Sequence, residues 1–337
     1  MGDWWAAFKE SPYFPASVLA LILSAGAGLF AGSYTYAMAS PTPHHMPVAV
    51  VGVSAETVRG RAFVSGLEKS LESSLVLRFQ PTYADAMRAI EQQRVFAIFV
   101  ARGDDVEMDV SSASGASVAL LLVEQAPHVA ARVGVRLTVR DVKPLQRADP
   151  RGLAIFYITL AAVIIGFTGA AQLSANAKQL NPGERIAFTA AFAGLGAFAI
   201  VAIVDWLLGA LKLPVLESWS ILALTMFTTG MVFTMFNTFL GRWAMLPTWG
   251  LMVLLGNPSS GGAVSWPLLP SPLGAIGRWL PPGASVNAQH TAVYFRGHQS
   301  LAPFLVLGAW SLVSCVVFLI WHSRHPGGRT DAPEGAS

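Results

Sequence analysis

One carboxylate stands well inside an apolar run: Asp205, in AFAIVAIVDWLLGAL. At the centre of a membrane helix such a group costs roughly 2.5–3.5 kcal/mol, so it usually faces a bundle interior, a cavity or a partner. Two readings of Asp205 stay open. It polarises an outer vestibule and takes a proton or cation there. Alternatively it is solvated near the helix end, or paired with Arg278 or another basic group. Thr225, Thr228, Thr229, Thr234, Asn237 and Thr238 lay a polar stripe along another apolar run. Such hydroxyls most often bond one helix to the next, and the same stripe could line a path for an amphiphile. Met226, Met231 and Met235 beside it are adaptable packing residues.

Other candidates are weaker. Asp105, Glu107 and Asp109 alternate along a strand without the glycine-containing loop of a calcium site. They read as a solvated face, or as cross-strand partners of Arg136 and Arg140. His44-His45, His290 and His298 have no Cys, Asp or Glu at metal spacing, so no metal is expected. No G-x-x-x-x-G-K-[ST] loop, G-x-S-x-G elbow, H-E-x-x-H pair or dinucleotide fingerprint occurs. The expectation is a chain with no catalytic residue and no cofactor of its own, and so no enzyme.

The elements that must position these residues are set by composition. The chain has 337 residues, 53% hydrophobic and only 12% charged, where a soluble domain carries about a quarter charged residues. Long apolar runs with so few charges mean a protein that crosses a membrane several times. The net charge of +3 is too small to imply a nucleic-acid partner. Cys315 is the single cysteine and cannot close an intrachain disulfide.

The stretch from Pro247 to Phe295 breaks the pattern. An apolar run at 249–255 is about half the ~20 residues needed to span a bilayer. Gly256, Asn257, Pro258, Ser259, Ser260, Gly261 and Gly262 then interrupt any helix. A second apolar segment, 268–280, carries Ala275, Ile276, Trp279 and Leu280 on one face, and Pro281, Pro282 and Gly283 stop it. Broken backbone at membrane depth is tolerated only where protein or a wet cavity covers it. A helix that enters, breaks, re-enters part way and leaves is therefore expected over 256–295. The rival is a short span followed by a loop lying on the surface.

Asn257-Pro258-Ser259-Ser260-Gly261-Gly262, then Leu280-Pro281-Pro282-Gly283-Ala284, then Ala292-Val293-Tyr294-Phe295 resemble the last third of the phage-infection-protein (Pip/YhgE-like) family, within the bacterial ABC-2-type exporter permeases. The layout is similar too: one span, a soluble domain, then five spans. The resemblance implies a bacterial cell-membrane permease subunit that exports amphiphiles (lipid, glycolipid or drug) as a homodimer in contact with membrane lipid. It also implies a separate ATPase subunit that would hold ATP and Mg. In that family the inner loop equivalent to residues 174–187 (SANAKQLNPGERIA) meets the ATPase, which makes Gln179, Glu184 and Arg185 contact candidates. The loop is otherwise a solvated turn at Asn181-Pro182-Gly183-Glu184. The alternative function is a membrane-anchored envelope interaction protein, phage-receptor-like, whose outer domain binds a partner.

The fold expected is thus an α-helical polytopic membrane protein with one inserted extracytoplasmic α/β domain. Residues 1–15, with Trp4, Trp5, Phe8, Tyr13 and Phe14 around Lys9, form an interfacial amphipathic segment. The first span is 16–39, and its glycines at 26, 28 and 32 permit close helix packing. Residues 40–150 alternate strand and helix patterns. Met46–Val53, Leu75–Phe79, Val95–Val100, Val106–Val110 and Val135–Val139 read as strands. Ser54 and Thr82 (with Asp85) read as helix caps, and 114–132 as a helix closed by Gly134. Further spans are expected near 152–173, 188–211, 219–240, the broken fifth from about 244, and 301–321, with a disordered cytoplasmic tail over 324–337. Lys9, Lys178, Arg185, Arg242, Arg324 and Arg329 fall on one side and Lys212, Arg278 and Arg296 on the other. The positive-inside rule then puts both termini in the cytoplasm and the α/β domain outside.

Overall fold

The computed structural model describes residues 10–11, 13–39, 43–51, 58–72, 75–103 and 105–325. The interfacial reading of the first residues falls mostly outside them, as do Ser54 as a cap and most of the 324–337 tail. Helix α1 is Tyr13–Met38. The α/β domain follows as β1 (Met46–Val51), α2 (Val58–Leu71), β2 (Leu75–Gln80), α3 (Tyr83–Glu91), β3 (Ala97–Arg102), β4 (Asp105–Val110), α4 (Ala116–Val133) and β5 (Arg136–Asp141).

The strands lie in the order β2-β1-β3-β4-β5, all parallel to their neighbours except the β3–β4 hairpin. Alternation decides the two faces. Met46, Val48, Phe99, Val106 and Met108 bury against α2 and α4. Ala49, Ile98 and Val100 bury against Ala86, Ala89 and Ile90 of α3. The Thr82 hydroxyl caps α3 by accepting from the Asp85 amide at 3.1 Å, and Gly134 closes α4 in a left-handed conformation.

The acidic strand meets both sequence readings in part: Asp105 stays exposed, and all three acids pair with arginines of β5. Register sets Asp105 opposite Arg136 and Asp109 opposite Arg140. Arg136 Nε donates to Asp105 at 2.6 Å. Arg140 donates to Asp109 at 3.0 Å and also pairs with Glu107. Asp109 is fully buried, and takes a further bond from the Tyr83 hydroxyl at 2.5 Å.

The apolar half contains α5 (Ala154–Asn176), α6 (Pro182–Val201, continuing in a wide turn through Leu207) and α7 (Val215–Leu240). Next come α8 (Met245–Trp249, continuing in a wide turn through Gly256), α9 (Ser271–Ile276), α10 (Pro281–Tyr294) and α11 (Ala302–Arg324). Among the described residues five helices are long and apolar enough to cross a membrane: α1, α5, α6 with its extension, α7 and α11. Helix α7 is central, with 61% of its apolar window buried. Helix α6 begins earlier than its apolar run, because Asn181 and Glu184 form a capping box around Pro182. Pro182 thus starts a 20-residue helix.

Helix α1 departs from expectation. None of its apolar window is buried. A methyl added at Gly28 or Gly32 would meet nothing within 4 Å, and at Gly26 only the Trp249 ring at 3.9 Å. These glycines do not seat α1 against the bundle. It meets the broken passage through Phe30 stacked on Trp249, ring centres 6.1 Å apart.

Candidate functional site

The stretch after α7 is neither a straight rod nor a loose loop. Helix α8 and its wide turn make a short apolar helix, Met245–Gly256. A run of turns over 257–265 follows, in which Asn257, Ser259 and Ser260 are buried. The freed backbone finds partners nearby. The Ser259 hydroxyl donates to the Leu255 carbonyl at 2.7 Å and the Ser260 hydroxyl to that of Asn257 at 2.7 Å. Trp266 Nε1 donates to the Ser259 carbonyl at 3.1 Å. Gly261 takes a positive φ of 81° under the Trp266 ring.

The return of the chain closes the break tightly. A Cβ on Gly277 would lie 1.8 Å from the Ser259 carbonyl oxygen, and one on Gly283 would lie 2.0 Å from the Gly277 oxygen. Backbone lies on backbone at both places, and only glycine fits. Pro258 and Gly262 lie within the same run of turns, and Gly256 packs under the Pro282 ring.

Pro281-Pro282-Gly283 does stop the segment before it. The same residues then begin α10, a buried 14-residue helix that the sequence reading did not foresee. Proline suits the first turn of a helix because no amide partner is needed there. The signal was present: two prolines followed by ASVNAQHTAVY, without a breaker.

This broken passage carries the α/β domain. Leu268 enters the core formed with α2 and α4, and Phe295 enters the one formed with α3. The Ser265 amide donates to the Ser117 hydroxyl at 2.9 Å, and His44 N donates to the Pro267 carbonyl at 2.7 Å. Gln93 reaches the Thr291 hydroxyl at 2.8 Å. Gln146 exchanges two bonds with the backbone of Lys212, at 3.0 and 2.7 Å. None of these docking residues was singled out as a contact from sequence. Leu268 and Phe295 could have been, as large apolar residues beside helix breaks.

The domain therefore sits at the Lys212 end of the bundle. The turn at 177–181 lies at the other end of α6 and its extension, 26 residues away, or about 39 Å at 1.5 Å per residue. In that turn Gln179 is exposed. Glu184 is held by the Asn181 amide at 2.9 Å, and Arg185 by the Ser174 hydroxyl at 2.8 Å and the Ala177 carbonyl at 3.3 Å.

Asp205 lies in the wide turn that ends α6, with its side chain 8% exposed. Lys212 Nζ donates to it at 2.9 Å and the Leu213 amide at 3.2 Å. Arg278 is elsewhere, with its guanidinium 4.9 Å over the Trp266 ring. The polar stripe of α7 is divided among neighbours. The Thr225 hydroxyl donates to Ser285 of α10 at 2.7 Å, and Thr228 shares a 2.7 Å bond with Ser311 of α11. Thr229 turns back to the Thr225 carbonyl at 3.1 Å. Asn237 is half-buried near the far end of α7 and is not brought together with Asp205 or Thr225.

No protein-family model matches this chain, and no curated protein matches it. The arguments for what it does therefore rest on its own geometry. That geometry joins the break, α10 and the α/β domain into one unit, and leaves Asp205 as a staple between α6 and the loop under the domain.

Proposed function

We propose that this chain is the membrane subunit of an exporter-type permease that moves amphiphiles (lipids, glycolipids or drugs) across a bacterial cell membrane. The observation that carries the reading is the passage 245–294: broken in the middle, packed backbone to backbone, and fixed to a folded domain that covers it. An interruption of this kind at membrane depth has a place only beside protein or a wet space. Counted as a crossing, that passage brings the five long helices to six, with both termini in the cytoplasm and the α/β domain outside. Six crossings are few to enclose a path, so two copies would form it around a two-fold axis. A separate ATPase would dock on the turn at 174–187 and hold the ATP and Mg. Gln179 would offer its side chain there, while Glu184 and Arg185 would keep the turn in shape.

The rival reading makes the helices an anchor for a partner-binding outer domain. Leu268 and Phe295, which belong to both halves, argue for a machine that works as one body. The test is co-purification of the full chain with candidate P-loop ATPases from its own gene neighbourhood. An ATPase that stays bound, and is lost on reversing the turn charges with Glu184→Lys and Arg185→Glu, supports the permease. Capture of an envelope partner by the full chain, with no ATPase retained, overturns it.

A further inference from the structure

A groove of about 1010 Å³ opens between the domain and the broken passage. Its lining includes Arg78 of β2, Arg94 after α3 and Arg278 after α9, and among the described residues it contains no carboxylate. Arg78 and Arg94 are exposed and join no ion pair among the described residues. Gln93, Asn287 and Thr291 add hydrogen-bonding groups, and Val76, Leu269, Trp279 and Val306 add an apolar side. The whole chain has a net charge of only +3, so two unpaired arginines with Arg278, whose guanidinium lies over the Trp266 ring, are a marked concentration in one concavity. Low-dielectric walls focus such a field and favour an anion there. Guanidinium groups match phosphate in particular, through paired N–H donors.

The groove is also amphipathic in the right sense. Two of its three arginines, Arg78 and Arg94, belong to the domain, and Arg278 faces them from the broken passage. Its apolar side runs along α9 and the first turns of α11 and ends at Trp279, which is 72% exposed. A neighbouring opening shares His44 and Ser271 with it and is lined by Thr35 and Tyr36 of α1. The groove thus has a side opening next to α1, whose outward apolar surface suits lipid. We propose that this groove binds the phosphate headgroup of an anionic amphiphile, whose apolar part lies along Trp279 toward α1. The inference deepens the permease reading, on which it rests for the role of the bound molecule as cargo.

The test is calorimetric titration of the purified full-length protein with short-chain, water-soluble lipids. Dihexanoyl phosphatidylglycerol is expected to bind saturably. Dihexanoyl phosphatidylcholine, whose choline cancels the phosphate charge, and glycerol 3-phosphate, which lacks the chains, are each expected to bind at least about tenfold more weakly. Arg78→Gln with Arg94→Gln should weaken phosphatidylglycerol by more than about tenfold, because two charge-assisted contacts go. Arg102→Gln, outside the groove, should change nothing. Unaltered melting and gel-filtration profiles show that the double variant is folded. Equal binding of the two lipids, or full binding by the double variant, overturns the inference. Glycerol 3-phosphate binding as tightly as the lipid also overturns it, in favour of a free-anion site. Lipid binding without any associated ATPase removes the permease reading and leaves the groove. An associated ATPase with an inert groove does the reverse.

Discussion

Replacing Gly277 by alanine is the sharpest test of the closed break. The new methyl would sit 1.8 Å from the Ser259 carbonyl oxygen and 2.6 Å from its carbon. To reach the 3.0–3.4 Å of the tightest real contacts, the two segments must part by roughly 1.2–1.6 Å. Overpacking of well-packed sites costs about 1–3 kcal/mol. Both colliding groups here are backbone and no rotamer can relieve them, so the upper end applies, about 3 kcal/mol. Gly28→Ala is the matched control. Its methyl meets nothing within 4 Å, and alanine in a helix interior gains about 0.5–1 kcal/mol over glycine. The two substitutions should therefore move stability in opposite directions. The assay is thermal unfolding in mild detergent, read by intrinsic fluorescence, with Trp266 and Trp279 reporting from the passage itself. Gly277→Ala should melt well below the parent protein and Gly28→Ala at or slightly above it. If Gly277→Ala melts with the parent, the segment is a pliable surface loop, and the reasoning from backbone contact fails.

Three other expectations can be checked directly. Asp205→Asn and Lys212→Met should each destabilise by about 1–2 kcal/mol, less than the 3–5 of a fully buried pair because Lys212 is 73% exposed; a double-mutant cycle should show coupling, and strict additivity would dissolve the staple. Gln146→Ala removes both bonds to the Lys212 backbone, so hydrogen exchange at 212–214 should quicken while the domain's strands stay protected; slow exchange there would mean that other contacts hold the loop. The Arg136 guanidinium holds the Asp105 carboxyl below its usual value, so that pair contributes above about pH 4 and is lost as pH falls through the lower folded value. Arg136→Gln should thus narrow the difference between neutral and acid stability, and an unchanged acid limb would refute the pairing.

The legible parts of the sequence were those governed by local periodicity. Val106, Met108 and Val110 alternate with acids, and the strand is where that alternation puts it, with Arg136 and Arg140 opposite. Asn181-Pro182-Gly183-Glu184 read as a turn, and the capping box within it starts α6. What was missed depends on distant residues. The paired reading of Asp205 left its partner open between Arg278 and another basic group, and the fold-back of the loop after α6 selects Lys212. The glycines of α1 looked like a packing face because small residues often are, yet the other helices close around α7 without using them. Pro281 and Pro282 read as an end because proline breaks helices, although the same chemistry begins them when the chain turns a corner.

The sharing of Leu268 and Phe295 has a consequence for biogenesis. Synthesis runs from the N-terminus, so the strands and helices of residues 46–141 emerge long before residue 295 does. Until then, two seats in the domain's interior stand empty. The nascent domain must wait, partly finished, while three more helices long and apolar enough to cross a membrane are made. Correct threading of the late segments is thus recorded in the completeness of the early one, and a chain that threads wrongly leaves its α/β domain unsealed and open to quality-control proteases.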